Sequence, residues 1–215
     1  MRGFARTVWQ AGQTLTLDRR AGSTYNGGVR TAFKEWATVV DALGRGEQIL
    51  VLRKGGIAEG PGGFQVEHPR FLFFPTLYHQ QRESVLPQAQ ARYDEIKPQL
   101  PPPELLRLEY CGEVVAWRRL DSFSSVQRLR GQHIWREEVL AQRFDWGKAA
   151  NLFALAVRVF RLPKTIELPM LPSYGGCKSW VDLAVDIPTE AASPVLDESA
   201  FQTRRREFET ALTAA

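Results

Sequence analysis

The sequence predicts an α+β domain: a curved, mainly antiparallel sheet, or a small β-barrel, with helices packed outside. Three observations predict it. Apolar, β-branched or aromatic runs recur near 48–53, 71–74, 105–117, 152–162 and 180–185. Between them stand segments whose apolar residues are spaced by three and four, the helical period. Glycine and proline punctuate nearly every junction, as turns and helix ends require. A chain of 215 residues is long enough for one full hydrophobic core and too short for two large ones. The core domain is expected over 30–190, preceded by a poorly ordered extension at 1–29 and followed by a polar linker and C-terminal helix at 191–215.

Taken in order, residues 1–29 mix Gly, Thr, Arg and Gln without a period and close on Asn26-Gly27-Gly28, a loop signal. From Thr31, residues Phe33, Trp36, Ala37, Val40 and Leu43 fit one helical face, with Gly44 and Gly46 as the stop. Gln48 to Leu52 then reads as a strand leaving into the basic glycine turn Arg53-Lys54-Gly55-Gly56, and 57–63 as a loop. Phe71 to Phe74 is a strand ended by Pro75. Residues 79–97 are helix-prone, with Pro87 at a first-turn position and Pro98 as the terminator. Pro101 to Pro103 form a stiff linker. Leu105 to Tyr110 and Glu113 to Trp117 flank Cys111-Gly112, which predicts a tight hairpin. Ser124 to Phe144 reads as two short helices broken at Gly131. Leu152 to Leu162 is the longest strand, with Arg158 and Arg161 making one face wet and cationic. Ser193-Pro194 reads as the cap and first turn of a final helix carrying Phe201, Phe208 and Leu212 on one face. The expected core is Phe33, Trp36, Val40, Leu50, Leu52, Phe73, Val115, Leu140, Leu155, Val157, Val159 and Leu183.

Composition excludes several classes. Hydrophobic residues at 44% and charged residues at 24% are ordinary for a globular chain, which argues against a disordered or fibrous protein. No apolar run approaches the ~20 residues of a membrane span, so no membrane partner is expected. Polar Gln10, Gln13 and Asp18 interrupt the stretch where a secretory signal would be apolar, and two cysteines, Cys111 and Cys177, are too few for a disulfide framework. A cytoplasmic location fits. The net charge of +4 is carried by 22 Arg and only 6 Lys, and Arg suits bidentate phosphate contacts and base stacking.

Several blocks carry a resemblance. Lys34-Glu35-Trp36, LVLRKGGI (Leu50 to Ile57), VEHPRFLFFPTLYHQ (Val66 to Gln80), ALAVRVFRL (Ala154 to Leu162) and YGGCKSWVDL (Tyr174 to Leu183) are similar to blocks of the bacterial family of unknown function DUF1802. That resemblance implies no activity. A second resemblance is to the PUA-like superfamily, its ASCH and EVE domains, which are small barrels that bind RNA or modified nucleotides. Gly46 and Arg53 match the ASCH pattern on its helix-to-strand hinge, while Gln48 and Val51 replace its lysine and glutamate. Fold-level analogy of this kind does not settle function.

Four groups of residues can carry chemistry. Arg53 and Lys54 set two cations beside glycines whose N–H groups can approach a phosphate. Phe71, Phe73, Phe74, Tyr78 and His79 crowd around Pro75, where a ring can stack an unpaired base and Tyr78 or His79 can bond its edge. Arg118, Arg119, Arg128, Arg130 and Arg136 lie among Trp117, Phe123, His133 and Trp135, the mixture of a single-strand groove, or of a solvated helix face over buried tryptophans. Tyr174-Gly175-Gly176-Cys177-Lys178-Ser179-Trp180 is a glycine turn whose Cys177 lacks a neighbouring His. His68, His79 and Glu67 show no HxxxH, HExxH or CxxC spacing, so neither a metal nor another cofactor is expected. A PD-(D/E)xK nuclease needs an E-x-K pair on a strand, and Glu95-Ile96-Lys97 falls on a helix. The resulting expectation is a module for RNA or single-stranded or modified DNA, using Arg53, Lys54, Tyr78, His79, Lys178 and Trp180. A nuclease-like hydrolase and a protein-interaction domain are the alternatives.

Overall fold

In a computed structural model of the chain, the described residues are 28–54, 59–60, 63–64, 68, 70–77 and 81–213. Two long strands form the spine: β6 (Leu105–Leu120) and β7 (Leu152–Pro169), paired antiparallel from Leu105 opposite Pro169 to Leu120 opposite Leu152. Around them the remaining strands give the sheet order β2-β7-β6-β5-β1-β8, where β1 is Val29–Trp36, β2 Leu50–Arg53, β5 Arg70–Thr76 and β8 Trp180–Ile187. β9 (Ser193–Pro194) joins the same edge of β7 farther along. A separate minimal hairpin joins β3 (Glu59–Gly60) to β4 (Gly63–Phe64). Among the described strands only β1 and β5 are paired parallel. The mainly antiparallel α+β sheet is thus as expected, but it is open: β2 and β8 are edges, and the barrel alternative is corrected.

The helices are α1 (Ala37–Gly44), α2 (Pro87–Ile96), α3 (Phe123–Gln127), α4 (Glu137–Asp145) and α5 (Glu198–Thr213). Pro87 occupies the first turn of α2, where its missing N–H costs nothing, and a gap around Gly131 separates α3 from α4, both as expected.

Alternation along β5 divides the apolar residues between two faces. Phe71 and Phe73 enter a large cluster with residues of α1, α2, α4 and α5; Leu72 and Phe74 enter a smaller one with Ala32, Leu108, Cys111, Tyr174 and Leu183. No α-helix residue belongs to the second cluster. It closes because β6 and β7 curl over that face, and two register shifts in β6, at Leu108/Tyr110 and Val114/Ala116, mark the bends. The first shift also reverses parity: Leu106 and Leu108 face the small cluster, Tyr110 the large one, and Cys111 the small one again. Every expected core residue is buried except Trp36, which packs half-buried against the large cluster.

Five expectations are corrected. Residues 31–36 are strand β1, and the helix begins only at Ala37. Lying between β5 and β8, β1 buries both Ala32 and Phe33, which removes the clean two-residue period. No hairpin forms at Cys111-Gly112; β6 runs straight through. Gly112 is needed for space rather than for a turn, since a Cβ there would meet Val157 Cγ1 at 2.8 Å and Phe73 Cε2 at 2.9 Å. Of the two arginines expected on a wet face of β7, Arg161 is exposed, but Arg158 is covered by α5: its side chain is 16% exposed, pairs with Glu198 at 2.8 Å and lies over the Phe201 ring. Ser193-Pro194 is the β9 pairing, not a cap; Asp197 caps α5, its Oδ1 accepting the Ala200 N–H at 2.8 Å. Within the helix-prone segment 79–97, the α-helix begins at Pro87, while 79 and 80 lie outside the described residues.

Candidate functional site

The end of β2 and the turn that leads into β8 are far apart in sequence, and β1 joins them. The Lys34 N–H donates to the Ser179 carbonyl at 2.8 Å, extending the β1–β8 pairing into the turn. Arg53, at the last position of β2, reaches across the same place. Its Nη1 donates to the Lys34 carbonyl at 2.6 Å and its Nη2 to Ser179 Oγ at 2.7 Å, while its guanidinium lies over the Phe33 ring at 4.6 Å. The Arg53 and Lys178–Trp180 segments expected at one site are therefore neighbours.

Two ammonium groups sit on this turn. Lys34 Nζ donates to the Gly176 carbonyl at 3.0 Å and Lys178 Nζ to the Ser173 carbonyl at 2.7 Å. Neither pairs with a carboxylate among the described residues. Burial, then the charge of Lys178, pulls Lys34 below the usual lysine range, with a smaller opposing effect from nearby Cys177. Cys177 itself is exposed. Two uncompensated positive charges held beside open backbone favour a bound anion, which would relieve their repulsion.

Trp180, which follows the turn, packs against the larger apolar cluster. Its ring packs on Phe33 at 4.7 Å, Phe71 at 5.3 Å and His68 at 5.1 Å, and its buried indole N–H has no hydrogen-bond partner among the described residues. An orphaned buried donor is uncommon in a native fold. Lys54 is engaged differently: its Nζ donates to the carbonyls of Phe144 (2.7 Å), Ala149 (2.5 Å) and Asn151 (3.1 Å), clamping the end of α4 to the start of β7. Tyr78 and His79 lie outside the described residues, as do Gly55, Gly56 and Glu67.

The arginine-rich stretch is largely neutralised by its own neighbours. Arg119 pairs with Asp121 at 2.7 Å, Arg130 with Glu137 and Arg136 with Glu138 at 3.4 Å; Arg128 donates to Ser125 Oγ and Arg118 to the Trp117 carbonyl. Trp117, His133 and Trp135 are buried. Glu95, in the E-x-K sequence, ends α2 and binds Arg92 at 2.5 Å.

Sequence reasoning missed a buried charged group beside the turn. Glu35 is 4% exposed; its Oε1 accepts the Trp36 N–H at 2.8 Å and its Oε2 stands 3.5 Å from Arg53. Arg143, from α4, lies against two indoles, 3.9 Å from the Trp135 centroid and 4.8 Å from that of Trp36. Burial lowers its guanidinium's affinity for the proton, and Glu35 opposes that shift. The only sequence signal was Lys34-Glu35-Trp36, quoted for its resemblance and not for its chemistry.

No curated protein matches the chain. A family model does, over residues 32–207, and it is described as a domain of unknown function. Since the match takes in every strand of the large sheet except the first three residues of β1, and most of α5, the chain belongs to the DUF1802 family.

Proposed function

We propose that the protein is a cytoplasmic binding module for single-stranded nucleic acid, RNA or DNA with or without a modified base, and that the strand's phosphates dock on the Lys34–Lys178 turn. The observation that carries this reading is the pair of uncompensated ammonium groups of Lys34 and Lys178, brought together from positions 34 and 178 beside Arg53. A net charge of +4 supplies a mild long-range attraction of the right sign. The order of α1, Gly46 and a strand ending on Arg53 also keeps the part of the ASCH pattern that the sequence matches. In this reading Arg53 positions the turn through Ser179, Lys54 holds the α4–β7 loop, and Tyr78 and His79 remain candidates for contact with the base.

Fluorescence anisotropy with labelled single-stranded oligonucleotides tests the proposal. Log affinity should fall with log salt by ~0.7 per phosphate contact, so the double variant Lys34→Ala/Lys178→Ala should lower the slope by roughly 1.4. Absence of binding to every RNA and DNA at ~50 mM salt, where attraction is little screened, refutes the function. Binding with an unchanged slope in the double variant refutes the site.

A further inference from the structure

A cavity of about 340 Å³ opens between α1, α2 and the β5–β6–β7 part of the sheet, and it shares no residue with the Lys34–Lys178 turn. Its size is within the ~300–1,000 Å³ of small-molecule sites. Its apolar lining includes Val40, Phe73, Pro75, Ile96, Leu100 and Pro101. Its charged lining comprises four arginines, Arg45, Arg92, Arg107 and Arg161, and two acids, Asp41 and Glu109.

Three of those arginines are already neutralised. Arg45 pairs with Glu47, Arg107 with Glu167, and Arg92 with both Asp41 and Glu95, an arrangement that also ties α2 to α1 and fixes the cavity's walls. Arg161 has no carboxylate partner among the described residues. It lies over the Tyr110 ring at 4.8 Å, and its Nη2 donates to the Gly44 carbonyl at 3.3 Å. Beyond the Gly44 carbonyl and the Tyr110 hydroxyl, the guanidinium keeps N–H groups for another acceptor, and the geometry of its fork suits a phosphate. Tyr110 cannot drift away from beneath it on one side, because the ring is pressed on Gly44, where a Cβ would stand 2.3 Å from Tyr110 Cζ. The cavity thus offers a pre-positioned cation, an apolar lining that includes two prolines, and Glu109 and Gln99 as polar residues. An aromatic carboxylate would use only the first two. A ribose and a base edge use all of them.

We propose that this cavity binds a nucleoside monophosphate, with Arg161 holding the phosphate and the apolar lining that includes Pro75 and Pro101 covering the base. The site is independent of strand binding at the Lys34–Lys178 turn, and the two can fail separately.

Isothermal titration of the full chain with each of the four common ribonucleoside monophosphates, the matching nucleosides and inorganic phosphate tests it. At least one monophosphate should bind with Kd below ~1 mM, and at least about tenfold more tightly than either its nucleoside or phosphate alone. Arg161→Ala should weaken that binding by about tenfold or more, the effect of losing a charge-assisted contact to phosphate. Lys34→Ala/Lys178→Ala should leave it unchanged. Should Arg161→Ala fail to fold, judged by circular dichroism, the comparison of monophosphate, nucleoside and phosphate on the unaltered chain decides the matter. Failure of all four monophosphates to bind overturns the proposal; so does a nucleoside or phosphate that binds equally well, or an Arg161→Ala chain that is folded and binds unchanged.

Discussion

His133 is the residue whose environment most clearly sets a solution property. It is 8% exposed; its Nδ1 accepts the Trp135 N–H at 3.2 Å, and its Nε2 has no hydrogen-bond partner among the described residues. Burial pushes its pKa down to about 4, against a weaker upward pull from Glu137. In the unfolded chain the same imidazole titrates near ~6.5. Between those values the unfolded chain binds more protons than the folded one, so acid favours unfolding. The contribution is fully present above ~6.5 and is lost progressively as pH falls from there to about 4. Urea denaturation should therefore find the protein roughly 2 kcal/mol less stable at about pH 5 than at about pH 7.5 on account of this group. His133→Gln, which cannot titrate, should remove that difference. A variant that keeps the full pH dependence would assign it to other groups. The nearby Arg143 obeys the same physics with another outcome: two indole faces and the buried Glu35 hold its charge in place, where His133 has no comparable partner.

Among elements, the α4–β7 connection is held by one side chain. Lys54 donates to a carbonyl in the last turn of α4, where the helix leaves acceptors unsatisfied, and to two carbonyls of the loop beyond it. Lys54→Met keeps the aliphatic stem and removes all three donors. A loss of about 1–2 kcal/mol in urea denaturation is expected, with the fold retained, because hydrogen bonds from a charged donor contribute at that level. Unchanged stability would show that water satisfies the three carbonyls equally well. That role was not legible in the sequence, which places Lys54 beside glycines and gives no hint of partners about ninety residues away. What was legible was local: strands at β2, β5, β7 and β8, the Pro87 helix start, and the α3–α4 break all follow from patterns within a few residues. The misreadings came from tertiary context. β1 has a false helical period because both its faces are buried, and Gly112 looks like a turn glycine because nothing local reveals Phe73 and Val157 closing over it. For the candidate site, the convergence of Arg53 with Ser179 was expected as a meeting of segments. The roles of Lys34, Glu35 and Arg143 depended on which side of β1 each neighbour packs, and one sequence does not encode that in any local pattern.

At the scale of the whole molecule, one sheet separates two cores, and it is shared by both. β5 and β1 contribute alternate residues to each side: Phe71, Phe73 and Phe33 to the helix-covered core, Leu72, Phe74 and Ala32 to the curled one. Neither side can lose its packing without exposing the backbone ladder that orders the other, so the described domain should unfold in a single transition. The tryptophans make this measurable. Trp36, Trp117, Trp135 and Trp180 all pack in or against the helix-side core, and the curled core contains none. Tyr174 is a suitable probe of the curled side: it is 2% exposed, meets the Phe74 ring edge-on at 6.3 Å, and its hydroxyl accepts the Ala184 N–H at 2.9 Å. Tyr174→Ala removes a large buried ring and should cost about 3 kcal/mol. If the two cores are coupled, tryptophan fluorescence should report that whole loss although no described tryptophan belongs to the curled core, and its denaturation midpoint should coincide with the one from far-ultraviolet circular dichroism. A fluorescence midpoint that stays at the unaltered chain's value while the dichroism splits into two steps would mean that the curled core melts alone, and that the sheet does not transmit order from one face to the other.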